Sequence, residues 1–184
     1  MSQRPIALLA ALILSACAKP TETNGSNNTA APAETVVTPL TPPAPGTPGG
    51  LPDDRTPLEE PQGLIDPKST EAAGQIVQSY GALIEQKRFA EAAKLWGDAA
   101  MAAAFVDPYK AASELHVQVG KPGDSEGAAG SIYVRVPVVL YGSMASGAFS
   151  LSGTATLRRV NDVDGSTEAQ RRWHITQIEV ASAG

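Results

Sequence analysis

The sequence predicts an α+β fold, with N-terminal helices packed on an antiparallel sheet of about four strands. Two changes of pattern along the chain indicate this. Proline-rich sequence gives way near residue 67 to apolar residues at three- and four-residue spacing, and near residue 114 the spacing changes to two. The residues from 67 to 184 are enough for one ordinary domain with a single core.

Residues 1–16 have the features of a leader that is removed from the mature chain. Arg4 supplies positive charge, and nine apolar residues follow at 6–14, fewer than the roughly 20 that span a bilayer. The motif Leu14-Ser15-Ala16-Cys17 comes next and contains the single cysteine of the chain. With this motif the chain resembles bacterial lipoproteins. The alternative is an ordinary secretory leader, for which Ala16-Cys17-Ala18 would serve as the Ala-x-Ala cleavage motif.

The lipoprotein resemblance implies that Cys17 becomes the N-terminus and carries acyl chains such as palmitate. Several chains on one residue give stable anchoring, since a single chain binds a membrane only marginally. The residue after the cysteine is Ala18 and not Asp, which implies an outer-membrane location facing the periplasm. The membrane is therefore one expected partner, bound through lipidated Cys17.

Residues 17–66 are expected to form the lipidated N-terminus and a disordered tether rich in Pro, Thr and Ala. Positions 18–66 contain ten prolines, together with two basic and seven acidic residues. Few large apolar residues are present, so little burial could offset the entropy of ordering this segment. The tether is either a spacer that holds the domain away from the membrane or a segment of no required length.

The predicted domain, residues 67–184, begins with helices. Asp66 is expected to cap a first helix that ends near Lys87, and Pro67 suits its first turn. Gly74 and Gly81 weaken this helix by up to about 1 kcal/mol each relative to Ala, and they could lie where it meets another backbone closely. Three further features complete the helical part: a second helix over 89–96, a third over 99–105 capped by Asp98, and a last turn opened by Asp107-Pro108.

The strands are predicted from alternation of apolar and polar residues. The first covers 115–119, and the glycine-rich segment 120–130 is expected to be a loop. A second strand covers 132–141, in which Pro137 favours an edge position or a bulge. After a turn at 142–147, a third strand runs from residue 149. The last strand holds Trp173 and slips in phase near Gln177, which indicates a bulge.

These elements resemble the NTF2-like (SnoaL-like) superfamily. The resemblance covers residues 70–180 and depends on the first helix, the segment 89–93, the pattern of valines at 134–138 and the two closing strands. It implies a curved sheet that wraps the long first helix and leaves a conical cavity, which we call the cone. It also implies that members include isomerases, dehydratases and proteins without catalysis, and that two copies often pair through the sheet.

Neither a cofactor nor a metal site is expected. The two histidines, His116 and His174, and the single cysteine give no zinc-type spacing. Both histidines lie on predicted strands, without the turn that presents a nucleophile. The domain carries eleven basic and twelve acidic residues, so it has no basic footprint for nucleic acid.

The candidate pocket wall consists of aromatic residues. Acidic residues lie at caps, turns and helix surfaces, where water keeps them ionised, so we expect a pocket without a base. Glu114 and Glu179, at strand positions, are the exceptions. The expected function is binding of a small molecule or an envelope protein without catalysis; the alternatives are a cone-pocket isomerase or dehydratase and a structural lipoprotein. The predicted pocket residues are Tyr80, Trp96, Tyr133, Tyr141 and Trp173.

Two arginine pairs, Arg158-Arg159 and Arg171-Arg172, flank the turn between the last two strands. Asp162, Asp164 and Glu168 lie within the same turn. The preferred interpretation is a solvated hairpin end with weak ion pairs, each worth under about 1 kcal/mol. The alternative is a site for an anionic partner, such as a cell-wall or lipid headgroup.

Overall fold

A computed structural model describes residues 40–53 and 63–182. They belong to one compact unit, Thr38–Gly184, and the other unit, Met1–Val37, lies outside the described residues. The predicted leader, Cys17 and most of the predicted tether also lie outside them. In the part of the chain that the structure describes, no helix is long and apolar enough to cross a membrane.

Three helices precede the sheet, as the apolar spacing predicts. Helix α1 spans Thr70–Glu85, α2 spans Phe89–Ala92 and α3 spans Ala99–Val106. Short 3₁₀ turns at Ala93–Leu95 and Asp107–Tyr109 follow α2 and α3. The predicted second helix is therefore one α-helical turn continued by a 3₁₀ turn.

The caps of α1 and α3 show where the local prediction is right and where it is wrong. Asp98 accepts from the backbone N–H groups of Ala100 and Met101, as expected. The cap of α1 is Ser69, whose hydroxyl accepts from the N–H of Ala72. Asp66 instead accepts from the N–H of Lys68. The helix therefore begins about one helical turn later than predicted.

The sheet has five antiparallel strands in the described residues. Their bounds are Glu114–Val119 (β1), Glu126–Ala128 (β2), Ser131–Met144 (β3), Gly147–Val160 (β4) and His174–Ser182 (β5). The order is β1-β3-β4-β5, and β2 pairs with the first residues of β3. The predicted α+β class, with helices on an antiparallel sheet, is confirmed. The loop expected at 120–130 contains the additional strand β2, and β3 and β4 run through most of the turn expected at 142–147.

Pro137 lies inside β3 at a gap between two shorter strands on the same side. Strand β1 ends where Val119 pairs with Val138, and β2 begins only opposite Tyr133. The carbonyl oxygen of Pro137 accepts from the N–H of Gly120 at 2.8 Å. The absent N–H of the proline therefore falls on a side where regular pairing has already stopped. The bulge expected near Gln177 is confirmed, with Thr176 as the extra residue opposite the step from Thr156 to Leu157.

Helix α1 covers one face of the sheet and approaches β1 closely. A Cβ atom at Gly81 would lie 3.1 Å from the Cβ of Val117, and one at Gly74 would lie 2.6 Å from the Cγ of Pro122. Glu85, at the end of α1, accepts from the N–H of Val117 at 2.8 Å and so satisfies part of the exposed edge of β1. Both glycines therefore serve close packing.

The described part of the predicted tether forms turns. The N–H of Gly46 donates to the carbonyl of Leu51 at 2.8 Å, and that of Gly50 donates to Thr47 at 3.0 Å. The Leu51 side chain reaches Gly120, where an added Cβ would lie 3.3 Å from it. The division of the chain at residues 66 and 67, and disorder in the rest of the tether, stay predictions.

Candidate functional site

The space between α1 and the sheet, where a cone cavity is expected, is filled by side chains. The remaining cavity has a volume of about 10 Å³, close to the smallest space that holds one water. It is lined by apolar side chains and Tyr80, among them Val77, Ile84 and Leu140. This space is too small for a ligand of ordinary size.

The structure does not bring the five predicted pocket residues together. Tyr80 and Trp96 are buried, and their ring centroids lie 5.9 Å apart edge to face. Trp173 is buried beside the last strand. Tyr133 and Tyr141 alternate with the core-facing residues of β3, so they lie on the opposite face of the sheet. There Tyr141 stacks on His116 with centroids 5.1 Å apart.

A cleft of about 800 Å³ opens beside the filled core, and we call it the basic cleft. Its walls are the first half of α1, the 3₁₀ turn at Ala93–Leu95, and the connection 161–173 between β4 and β5. The N–H of Gly97 donates to the carbonyl of Ile175 at 3.0 Å, which holds this turn beside β5. The lining residues are Ile65, Pro67, Lys68, Ala72, Gln75, Ile76, Ser79, Lys94, Leu95, Arg159, Asp162, Glu168, Arg171, Arg172, Trp173 and His174.

Arg159 is the buried cation of the basic cleft. Its side chain is only 4% exposed, because residue 159 shares the core-facing side of β4 with Ala155 and Leu157. Nε donates to the carbonyl oxygen of Arg171 at 2.9 Å, and Nη2 donates to Asp162 at 3.0 Å. Two of the three guanidinium nitrogens therefore bind the connection, and Nη1 makes no hydrogen bond within the described residues.

Asp162 is surrounded by three cationic groups. Lys68 donates to it, Arg159 Nη2 lies 3.0 Å away, and Arg171 Nε lies 4.0 Å away. The hydrogen bond from Lys68, followed by the charges of Lys68, Arg159 and Arg171, lowers the pKa of Asp162 below its ordinary value. One carboxylate offsets only one of three charges, so this end of the cleft stays positive.

The remaining charges of the basic cleft add to this excess. Arg172 pairs with Glu168 in an exposed contact, which contributes little. Lys94 makes no ion pair within the described ranges, although, after a hydrogen bond from Arg88, its charge helps to lower the pKa of the exposed Glu91, and it also lines the cleft. In total five basic residues face two acidic ones, whereas the whole domain has slightly more acidic than basic residues.

The carboxylates at strand positions are exposed, whereas His116 and His174, of which His174 lines the basic cleft, are partly exposed. In the part of the chain that the structure describes, the buried polar residues are Ser131 and Arg159. His116 is 42% exposed and lies 3.9 Å from Glu85, at the edge of the sheet and not beside Tyr80. Glu114 and Glu179 are both exposed. The described residues include no group of three His, Cys, Asp or Glu side chains that could hold a metal ion.

The sequence identified part of this cleft and missed the rest. It placed the two arginine pairs at one turn, and the structure brings Arg159, Arg171 and Arg172 into one wall. Lys68 and Lys94 were missed, because they come from segments distant in sequence. One local signal was available: Arg159 lies in phase with the apolar residues of its strand, and a charge at a core-facing position is unusual.

Comparisons with known proteins give low similarity. No family model matches the chain, and no curated protein matches it. Among solved structures, Aln2 from a Streptomyces species is 13% identical with a TM-score of 0.41, over 65% of this chain and 94% of that one. A periplasmic fragment of TraM is 10% identical with a TM-score of 0.37, over 59% of this chain and 97% of that one.

Proposed function

We propose that this protein is a lipid-anchored envelope protein whose NTF2-like domain binds a small molecule in the basic cleft without catalysis. The observation that carries the proposal is the cleft itself. Its volume of about 800 Å³ lies within the roughly 300–1,000 Å³ typical of ligand pockets, and its lining combines apolar side chains with a cluster of charged ones. The filled cone, about 10 Å³, offers no comparable space.

The cellular location in this proposal depends on the sequence motif Leu14-Ser15-Ala16-Cys17. The lipoprotein interpretation assigns acylation to Cys17 and places the domain on the periplasmic side of the outer membrane. The chain from Cys17 to α1 would then separate the cleft from the membrane surface. A binding domain held in this way meets ligands of the envelope, whether free small molecules or groups on another envelope protein.

Binding without turnover is preferred to an isomerase or dehydratase for a structural reason. Such enzymes need a carboxylate or imidazole desolvated enough for its pKa to approach neutrality. The buried polar residues of the described ranges are Ser131 and Arg159, and neither is a base of that kind. The imidazole that lines the basic cleft, His174, is partly exposed, and its Nε2 lies 2.8 Å from the carbonyl oxygen of Ala169. The polar group beside the core cavity is the phenol of Tyr80, whose pKa burial raises, which favours the neutral form.

Pairing of two copies through the sheet stays a prediction. The face opposite the helices carries Tyr133, Pro137 and Tyr141, and Leu51 lies over Gly120 at its margin. A second copy on this face would therefore meet the segment that contains Leu51. A solely structural role would leave the basic cleft without a ligand.

The binding proposal can be tested with a neutral apolar dye and a matched pair of variants on α1. Gln75 and Gln78 are both exposed, and only Gln75 lines the basic cleft. The mature chain with Cys17→Ser is titrated with Nile red. This substitution lies outside the described residues and leaves the lining of the basic cleft unchanged. The dye should fluoresce when bound, Gln75→Phe should abolish the signal by filling the cleft, and Gln78→Phe should preserve it.

Circular dichroism of each variant confirms that the fold is retained. An equal loss of dye binding in both variants, or none in either, would contradict the assignment of the binding site to the basic cleft. Absence of dye binding by the parent chain would contradict the proposed function itself.

A further inference from the structure

The charges of the basic cleft restrict the ligand further than its size does. Lys68, Arg159 and Arg171 all lie within 4.0 Å of Asp162, so two positive charges remain there after that carboxylate is counted. Lys94, which makes no ion pair within the described residues, faces the same space. An incoming anion would be attracted to this end, and a cation would be repelled.

Burial strengthens the attraction of the Arg159 guanidinium for an anion, compared with a guanidinium at the protein surface. The Arg159 side chain is 4% exposed, and a charge interaction is worth more where water is excluded. Its Nε and Nη2 are held by Arg171 and Asp162, which fixes the guanidinium in place before any ligand arrives. A held guanidinium loses little side-chain entropy on binding an anionic oxygen.

The cleft also has an apolar lining. It includes Ile76 and Ala72 on α1, Leu95 on the 3₁₀ turn, and Trp173, whose side chain is 4% exposed. Such side chains bind a hydrocarbon segment by removing it from water. A small fully polar anion would use the charges and leave the apolar lining uncovered, so the charges and the apolar lining together favour an amphiphile.

We infer that the basic cleft takes a single free molecule with one anionic head, a carboxylate or phosphate, and an apolar chain. The head would lie beside Arg159 and Lys94, and the chain would lie along Ile76, Leu95 and Trp173. This inference rests on the proposed function, because it names the ligand class of the same cleft. It concerns a monomeric amphiphile and not the surface of a membrane.

The test compares two probes that differ only in the head. The probes are ω-bromoundecanoate and ω-bromoundecanol, whose bromine quenches tryptophan at short range. Trp173 lines the cleft and Trp96 is the only other tryptophan, so Trp96→Phe in the unacylated mature chain leaves Trp173 as the reporter. The carboxylate should bind about tenfold more tightly than the alcohol, as expected for one charge-assisted hydrogen bond.

Two lysine variants separate cleft charge from total charge. Lys94→Met should weaken carboxylate binding about twofold to fivefold and leave alcohol binding unchanged. Lys110→Met removes the same charge beside a different pocket, near Ala103, and should change neither affinity. Both lysines are exposed, so neither substitution should impair folding.

Equal affinities for acid and alcohol, with Nile red still bound in the cleft, would overturn this inference and leave the proposed function standing. Binding of anionic phospholipid vesicles without binding of monomeric bromoundecanoate would also overturn it, in favour of a membrane surface. Failure of both Nile red and the bromo-acid to bind would contradict the inference and the proposed function together.

Discussion

The guanidinium of Arg159 donates to the backbone carbonyl of Arg171 at 2.9 Å, which ties the end of β4 to the residues just before β5. The N–H of Val160 donates to the carbonyl of Gln170 at 2.8 Å and reinforces this closure. The connection 161–173 is thereby folded back as a wall of the basic cleft. Arg159 thus shapes the cleft in addition to charging it.

Replacement of Arg159 by methionine tests this structural role. Arg159→Met leaves the Arg171 carbonyl without its donor and should lower the free energy of unfolding by about 1–3 kcal/mol. Arg172→Met removes the exposed pair with Glu168 and should change it by less than about 0.5 kcal/mol. Urea unfolding followed by circular dichroism measures both values. Equal changes in the two variants would show that the buried hydrogen bonds of Arg159 stabilise the fold no more than the exposed ion pair of Arg172.

The start of α1 gives a second prediction, in which structure and local sequence signal disagree. Ser69→Ala removes the hydroxyl that accepts from Ala72 and should destabilise the protein by about 1 kcal/mol. Asp66→Ala removes only the acceptor for Lys68 and should cost less than about 0.5 kcal/mol. The reverse order in thermal or urea unfolding would move the cap back to Asp66.

Tyr80 predicts how stability depends on alkaline pH. Burial raises its pKa above the ordinary value of about 10, so the unfolded chain loses the phenolic proton first. The contribution of Tyr80 to stability is therefore complete below about pH 10 and is lost progressively above it. Tyr80→Phe should reduce the fall in unfolding free energy between about pH 9 and 11. If the unfolding free energy of Tyr80→Phe fell with pH as steeply as that of the parent, another group would control the loss of stability at alkaline pH.

Cys17 carries the prediction about location. The wild-type protein should incorporate labelled palmitate and fractionate with the outer membrane, whereas Cys17→Ser should incorporate none and stay uncleaved or become soluble. The chain contains no second cysteine, so no other thiol can replace it. Label in the variant, or a soluble unlabelled wild type, would contradict lipid anchoring.

Much of the fold could be predicted from local signals, because periodicity and caps depend on neighbouring residues. Asp98 at the start of α3 and the bulge at Thr176 are examples. Strand β2 was missed because its residues Glu126–Ala128 are exposed and lack an apolar alternation. Its pairing is set by the end of β3 rather than by its own sequence.

The candidate site was predicted only in part, because its residues meet through tertiary structure. Alternation along β3 already placed Tyr133 and Tyr141 away from the core-facing residues, so grouping them with Tyr80 was inconsistent with that pattern. Arg159 and Arg171 were recognised as neighbours of one turn. The position of Lys94 could not be predicted. Lys94 lines the basic cleft only because the 3₁₀ turn after α2 docks beside β5.

The location of a bound amphiphile tests ligand binding in the basic cleft directly. A crystal of the unacylated mature chain with ω-bromoundecanoate would place the bromine by anomalous scattering. We expect bromine beside Leu95 and Trp173, with the carboxylate near Arg159. Bromine inside the core between Tyr80 and Leu140, or in the separate pocket beside Ala103, would contradict binding in the basic cleft.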